Sequence, residues 1–480
     1  MRFCYLLFSM HQPLIHAPIG RALLRFSLPL WGGYVLQSLN TSVNAFWIGH
    51  YLGEAALSAA VHANNLLFVL IALVFGISQA SNLLVAQAVG AGRWALARRI
   101  TGSSASLFLG AALLMAALGW PLAAPLLLAM GAEPATTALA VDYLRVLFLA
   151  LPPMLLLIFA AAVLRGTGDS RTPFVALLAV SLGDALLNPL FIFGAGPLPG
   201  LGMAGSALAT LVANSLGLAG LLAWLRWQRL PLWIGWRQRR HWRPVPELLR
   251  CLVIKGLPMG LQMLVVSLSL VLMLALVNAH GTQAAAAYSA ALQLWAYVQM
   301  PAIAVASACS TIAAQNVGAG HWPRVARTTR AGVLCHLLLT GCCVALVLVF
   351  ERPVLALFLP EASAALEPAL HINRIVLGSF LLLGVSNVLS GVVRSTGVVL
   401  VPLAILALAL WGLRLPLAWG LQPLWGLDAL WWSFPLSALV SMLLSLAYYH
   451  WGSWRQARLL SMTSPKRGDS AHQPSATGSP

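Results

Sequence analysis

The sequence predicts an all-α, polytopic membrane protein with twelve transmembrane helices in two six-helix bundles, related by pseudo-twofold symmetry about the membrane normal. Three observations favour this fold class. Of the 480 residues, 60% are hydrophobic and only 8% are charged, a composition that excludes an ordinary soluble protein. Apolar runs of the roughly twenty residues that a membrane-spanning helix needs recur along the chain. Short motifs also recur at a separation of 228 or 229 residues.

Twelve segments are long and apolar enough to cross a bilayer. They are residues 22–48, 56–88, 97–120, 138–163, 173–194, 203–226, 249–279, 285–315, 327–350, 371–394, 399–420 and 428–450. With the N-terminus inside, nearly all of the 28 Lys and Arg residues fall in segments on one side of the membrane. Because basic loops stay in the cytoplasm, this asymmetry predicts cytoplasmic N- and C-termini. It also explains the net charge of +17 without nucleic-acid binding, since no basic face is interleaved with polar residues.

The repeated motifs divide the chain into two lobes. The segment 86–94 (A-Q-A-V-G-A-G-R-W) matches 314–322 (A-Q-N-V-G-A-G-H-W), and 164–168 matches 393–397. Six spans per half leave both halves in the same orientation. The predicted regions are an N-terminal extension (1–20), a first lobe (21–228), a basic cytoplasmic linker (229–247), a second lobe (248–455) and a disordered tail (456–480). A cleft between two such lobes would allow alternating access.

One acidic residue lies deep in a predicted span. Asp184 is about 16 Å along the fifth span at 1.5 Å per residue, near the middle of a hydrocarbon core of about 30 Å. An ionised acid at that depth costs at least about 2.5 kcal/mol, which favours a functional role. Asn188 lies one helical turn further on the same face. We therefore expect Asp184 to load and release a cation, with a proton favoured.

The first half of the chain is also richer in other polar residues within its spans, whereas the second half has no deep carboxylate. Each amide or hydroxyl taken alone is more simply explained by helix–helix hydrogen bonding, worth about 0.6 kcal/mol. The predicted cation-coupling set is Asp184, Asn188, Asn44 and Thr210. Candidate proton or cargo contacts are Gln37, Asn40, His62, Asn64 and Asn214, and candidate apolar walls of a cargo cleft are Tyr34, Phe46 and Phe68.

The sequence indicates neither a cofactor nor an enzyme. The six Cys residues include no C-x-x-C and no spacing with His that is typical of a metal site. Residues 166–169 (G-T-G-D) fit the G-x-G-D of intramembrane aspartyl proteases, which pair it with Tyr-Asp on a neighbouring span. Here the order is reversed, Asp142 then Tyr143. The protease is therefore a distant alternative.

Several short motifs, taken in order, resemble the multidrug and toxic compound extrusion (MATE) transporters of bacteria. They are 27–30 (S-L-P-L), 48–53 (I-G-H-Y-L-G), both A-Q-x-V-G-A-G segments, 164–173 (L-R-G-T-G-D-S-R-T-P), 188–194 (N-P-L-F-I-F-G) and 200–210 (G-L-G-M-A-G-S-A-L-A-T). The resemblance implies a two-lobed antiporter of the bacterial inner membrane. Its partners would be small organic, often cationic, substrates, a coupling cation (H⁺ or Na⁺) and the lipid bilayer, and we expect a monomer.

The sequence departs from this family where the resemblance places its acids. Asn44 stands where members often have an aspartate in the first span. In the fifth span Asp184 precedes Asn188, whereas members with a cation site there have Asn first and Asp four residues later. One acid among neutral ligands favours a proton over sodium. The alternative within transporters is a flippase for a lipid-linked or polysaccharide precursor, whose polyanionic cargo would need several arginines in the cleft. The candidates are Arg145, Arg374 and Arg414.

Overall fold

A computed structural model describes residues 14–129, 134–195, 198–228, 242–359 and 363–457. The helices of the first half are α1 (Ile19–Leu52), α2 (Glu54–Gly90), α3 (Trp94–Ala129), α4 (Pro134–Thr167), α5 (Arg171–Phe193) and α6 (Met203–Trp227). A two-residue antiparallel pair, β1 (Gly194–Ala195) and β2 (Leu198–Pro199), joins α5 to α6. Each of the six helices contains one predicted span.

The second half is less regular than predicted. Its helices are α7 (Pro246–Asn278), α8 (Thr282–Gly318), α9 (Trp322–Val349), α10 (Glu351–Leu355), α11 (Leu366–Val376), α12 (Ser379–Arg394), α13 (Leu400–Ala407), α14 (Leu415–Gly420), α15 (Gln422–Trp425) and α16 (Asp428–Trp451). The predicted tenth span, 371–394, is wrong as a single helix, because α11 and α12 are bent by 44° across a break. A π-helical turn (Leu408–Arg414) lies between α13 and α14.

Among the described residues, nine α-helices and the continuous helical segment Leu400–Gly420 are long and apolar enough to cross a membrane, and the bent α11–α12 pair is an eleventh candidate. The helix missing from this count is α1. Its 34 residues would span about 51 Å, but polar side chains such as Gln37, Asn40 and Asn44 lower its hydropathy. The polar residues that make α1 a candidate for function thus also lower its mean hydropathy below that of the other membrane-spanning helices.

The repeated motifs form equivalent turns in the two lobes. The chain leaves α2 through Gly92 (φ 70°) and leaves α8 through Gly320 (φ 74°). Gly168 and Gly397, at φ 100° and 99°, occupy equivalent turns after α4 and α12. These left-handed conformations favour glycine because it has no Cβ. The sequence repeat is therefore also a repeat of backbone geometry.

The two lobes meet along a seam formed by the ends of α2, α4, α8 and α12. Gln87 Nε2 donates to the carbonyl of Ser395 at 2.6 Å, and Gln315 Nε2 donates to that of Gly166 at 2.9 Å. Residues 87 and 315, and residues 166 and 395, are repeat equivalents, so the two bonds are related by the pseudo-twofold axis. A Cβ on the neighbouring Gly90 would overlap the backbone of Gln315.

The predicted regions outside the lobes are only partly described. Most of the N-terminal extension (1–13), the linker (229–241) and the tail (458–480) lies outside the described residues. The described part of the extension packs on the seam, because the Leu14 amide donates to Gln315 Oε1 at 2.9 Å. Arg324 Nη2 also donates to the carbonyl of Ala17 at 2.7 Å. The segment before α1 therefore adds to the contacts between the lobes.

Candidate cation-coupling site

Asp184 lies between three helices of the first lobe and is only 1% exposed. Asn40 Nδ2 and Asn44 Nδ2, both on α1, donate to its Oδ2 at 2.9 and 3.0 Å. Thr210 Oγ1, on α6, donates to its Oδ1 at 3.1 Å. The spacing of Asn40 and Asn44 places both amides on one face of α1, opposite the carboxylate. Asp184 thus joins α1, α5 and α6.

Asn188, on the next turn of α5, contacts both Asp184 and Asn44. Its Nδ2 lies 2.9 Å from Asn44 Oδ1 and 3.0 Å from the Asp184 carbonyl oxygen, and it is 3.4 Å from Asp184 Oδ1. Asn188 is fully buried. All four members of the predicted coupling set therefore lie at one site, because Asn44, Asn188 and Thr210 each bond to Asp184.

The site has the electrostatics of an isolated acid. No basic side chain among the described residues forms an ion pair with Asp184, and the side chains around it are neutral. Hydrogen bonds donated to an ionised carboxylate stabilise its charged form, while burial opposes it. The Oδ1 atoms of Asn40 and Asn188 are buried without a donor. The site therefore offers oxygen atoms to a cation and no competing positive charge.

Sequence analysis missed one residue and underestimated another. Tyr143, on α4, forms a side-chain hydrogen bond with Asn64 and interacts electrostatically with Asp184. No motif marks Tyr143, which the sequence suggested only as part of a protease pattern. Asn40 was expected among the proton or cargo contacts, outside the coupling set, and it binds the carboxylate as closely as Asn44 does. Its spacing of one helical turn from Asn44 is the signal that would have placed it in the coupling set.

The remaining polar candidates lie further out. Asn214 Nδ2 donates to the Thr210 carbonyl at 2.8 Å, one turn along α6. Gln37 is exposed and His62 is half-buried. Asn214 is thus a neighbour of the site through Thr210, whereas Gln37 and His62 remain candidates by position only.

The aromatic candidates fall into two groups. Tyr34 is half-buried, and its hydroxyl hydrogen-bonds Ser307 of α8, so it links the lobes. Phe46 and Phe68 are 56% and 40% exposed, and Phe46 stacks on His50 with ring centroids 5.4 Å apart. Phe46 and Phe68 therefore lie on the outer surface of their helices, and Tyr34 lies nearer the seam.

The arginines considered for a polyanionic cargo do not line a common cleft. Arg145 lies 3.9 Å from Asp142, and Arg374 pairs with Glu351. Both arginines are substantially exposed, whereas Arg414 is buried within the second lobe. This arrangement does not favour a flippase for a polyanionic precursor.

Asp169, the acid of the protease-like motif at residues 166–169, has a structural role. Asp169 Oδ1 accepts hydrogen bonds from the backbone amides of Arg171 and Thr172, each at 3.0 Å. A carboxylate in this position satisfies free N–H groups at the start of α5. Asp169 is thus explained as a helix cap.

The pseudo-symmetric lobes, their seam and one buried acid among helices define a two-lobed, polytopic membrane transporter. The MatE family model matches residues 29–190 and again residues 258–419, two stretches separated by the same 229 residues as the sequence repeat. The chain therefore belongs to the MATE family of transmembrane transporters, whose members are not enzymes.

Related proteins align with nearly the whole length of this chain. The chain is 33% identical over 443 residues to "Probable multidrug resistance protein YoeA" of Bacillus subtilis, covering 92% of this chain and 95% of that protein. It is 24% identical to "Multidrug export protein MepA" of Staphylococcus aureus, with 89% and 94% covered. A solved outward-facing MATE transporter superposes with a TM-score of 0.85 at 20% identity, covering 92% of this chain and 97% of that chain, which confirms the two-lobed fold.

Proposed function

We propose that the protein is a secondary antiporter that exports amphipathic, cationic organic compounds in exchange for protons, by alternating access across a bacterial inner membrane. Sodium is the alternative coupling ion. The observation that carries this proposal is Asp184, a buried carboxylate without a basic partner among the described residues, which accepts hydrogen bonds from α1 and α6. Asn44, Asn188 and Thr210 complete the coupling set, and Asn40 joins it.

Protonation of Asp184 would weaken its hold on α1. Hydrogen bonds to a charged acceptor are worth about 1.5–3 kcal/mol, and those between neutral groups about 0.5–1.5 kcal/mol. The bonds from Asn40 and Asn44 would together lose about 2 kcal/mol on neutralisation. A proton also converts one carboxylate oxygen from an acceptor into a donor, so the two amides must reorient or separate from it.

The helix that binds Asp184 also contacts the second lobe. Tyr34 of α1 bonds to Ser307 of α8, about one and a half turns before Asn40. A change in the position of α1 would therefore alter contacts between the lobes. If the termini are cytoplasmic, the seam lies on the cytoplasmic side and closes the cleft there. Protonation of Asp184 would then change the fraction of molecules in which the seam is closed or open. A ligand shifts such an equilibrium only through different contacts in the two states, and the α1 hydrogen bonds supply that difference.

Cargo recognition would use apolar surface and a single charge. The exposed rings of Phe46 and Phe68 suit an amphipathic compound. An ionised Asp184 favours a cationic cargo, and a protonated one releases it, so proton and cargo need not be bound together. We expect the transporter to act as a monomer in the lipid bilayer.

The test is efflux of a cationic dye in inverted membrane vesicles from cells that express the protein. One set of vesicles receives a proton gradient alone and another a sodium gradient alone, with the membrane potential clamped in both. Proton coupling predicts dye accumulation in the first set only. Accumulation with sodium alone would identify sodium as the coupling ion, and accumulation without any gradient would overturn antiport.

A further inference from the structure

The second lobe contains a buried cation with no acidic partner among the described residues. Arg414 ends the π-helical turn between α13 and α14 and is 3% exposed. Its Nε donates to Ser437 Oγ at 2.9 Å, and its Cζ lies 4.2 Å from the centroid of the Phe434 ring. Neither partner carries a charge. Arg414 therefore keeps an uncompensated positive charge in the interior.

Unpaired hydrogen-bond donors cluster around this charge. Arg414 Nη2 is buried without an acceptor, and so is the hydroxyl of Tyr288, which is fully buried and within electrostatic range of Arg414. The Tyr288 ring lies 6.5 Å from that of Phe434. Asn373 is linked to Tyr288 through Trp295. The Asn373 Oδ1 accepts the Trp295 N–H at 2.8 Å, and the Trp295 ring lies 5.8 Å from that of Tyr288. The Nδ2 of Asn373 has no acceptor. The cluster thus has a surplus of donors.

Such an arrangement is costly in a folded membrane protein. Buried charges are normally paired, and buried donors are normally hydrogen-bonded. An arginine within a transmembrane segment marks a functional site by default, and π-helical turns occur often at functional sites. A negatively charged ligand would supply both the missing counter-charge and the missing acceptors.

We propose that Arg414 and Tyr288 bind a small monovalent anion of the halide class, chloride in a cell, inside the second lobe. The charge of one guanidinium balances one negative charge, and the neutral donors of Tyr288 and Asn373 add hydrogen bonds without further charge. The rings of Trp295, Trp431 and Phe434 pack around Tyr288, with centroids 5.7 to 6.5 Å from its ring. Aromatic edges are electropositive, so they suit a weakly hydrated halide better than a multivalent oxyanion, which needs more donors.

Without a bound anion, the two lobes would hold buried groups of opposite charge, the Asp184 carboxylate in the first and the Arg414 guanidinium in the second. The anion would neutralise the positive charge of Arg414. The second lobe would then be electrically balanced and rigid while the first lobe titrates. This proposal does not depend on the identity of the coupling ion.

The experiment measures thermal unfolding of the purified full-length protein as chloride replaces gluconate at constant ionic strength, with purification in gluconate throughout. The wild-type midpoint should rise saturably with chloride, because a ligand that binds only the folded state stabilises it. Arg414→Gln should lose this dependence. Tyr288→Phe should raise the half-saturating chloride concentration about tenfold, since one hydrogen bond to a charged acceptor is lost. The control Arg374→Gln, which makes the same charge change on an exposed arginine, should respond as wild type does.

A second measurement does not depend on the stability of the variants. Crystals of the wild type grown in bromide should show an anomalous peak beside Arg414 Nη2 and the Tyr288 hydroxyl. A chloride response that is equal in wild type and Tyr288→Phe, or a bromide map without that peak, would overturn the proposal. In that case internal water, or no ligand, satisfies these donors.

Discussion

Replacing Asp184 with asparagine is the most informative perturbation of this molecule. The carboxylate accepts three bonds of 2.9 to 3.1 Å from other helices. In an asparagine the single amide oxygen can still accept from Asn40 and Asn44, while the NH2 group must donate to Thr210 Oγ1 instead of accepting from it. All three contacts then become neutral, a loss of about 1 kcal/mol each or about 3 kcal/mol together. It also removes a buried charge that costs at least about 2.5 kcal/mol. The two effects nearly cancel, so the free energy of unfolding should change by no more than about 1 kcal/mol.

Transport should respond quite differently from stability. Asp184→Asn cannot bind or release a proton, so dye accumulation driven by a proton gradient should fall to the leak rate, at least about 100-fold. Vesicle accumulation and thermal unfolding are measured on the same preparation. The matched control is Asp142→Asn, since that side chain makes the same charge change but is 72% exposed, and it should transport normally. Wild-type accumulation by Asp184→Asn, with the protein folded, would refute the role assigned to this carboxylate.

Three further predictions follow from individual contacts. The double variant D184N/N188D moves the carboxylate one turn along α5. Asn188 Nδ2 donates to Asn44 Oδ1 at 2.9 Å in the wild type, so in the variant the Asn44 amide must turn over to donate its N–H to the new carboxylate. The double variant should recover the proton-driven efflux that D184N lacks, and equal inactivity of both would contradict this. Gln87→Ala removes the 2.6 Å bond across the seam, which is worth about 1 kcal/mol, and should raise the fraction of molecules with an open seam about fivefold. Spin-label distances between the lobes measure this fraction. An unchanged distance distribution would exclude a gating role for Gln87. Arg374 holds the pKa of the Glu351 carboxyl below its usual value of 4.5 by hydrogen bonding to it. The pair therefore stabilises the protein above about pH 4.5, and this contribution is lost as the pH falls through the lowered pKa. Glu351→Gln should lower the thermal unfolding midpoint only slightly at pH 7, because Arg374 is 61% exposed, and the difference from wild type should shrink as the pH falls.

The sequence predicted the fold class because membrane composition restricts the backbone to few options. A chain with so many apolar runs must satisfy its backbone hydrogen bonds within helices. The break between α11 and α12 falls at Gly378 and Ser379, a Gly/Ser pair of the kind at which helices kink. The sequence analysis overlooked this pair because it lies within a long apolar segment. The pair marks where the helix can bend, whereas the size of the bend, 44°, depends on how neighbouring helices pack.

In the candidate site, too, some residues could be identified from the sequence and others only from the structure. Depth along one helix follows from counting residues, so Asp184 and its neighbour Asn188 could be identified from the sequence alone. Asn40 and Asn44 are 144 and 140 residues away, and only the rotation and tilt of α1 against α5 decide that both amides reach Asp184.

The sequence by itself was enough to predict a helical membrane protein of two repeated halves with one acid deep in a span. Composition, the length of apolar runs and internal repeats can all be read directly along the chain. The tertiary structure decided which amides surround Asp184, where the lobes meet, and that Arg414 has no acidic partner among the described residues. These depend on contacts between distant helices, and side-chain packing sets such contacts without leaving a regular spacing in the sequence.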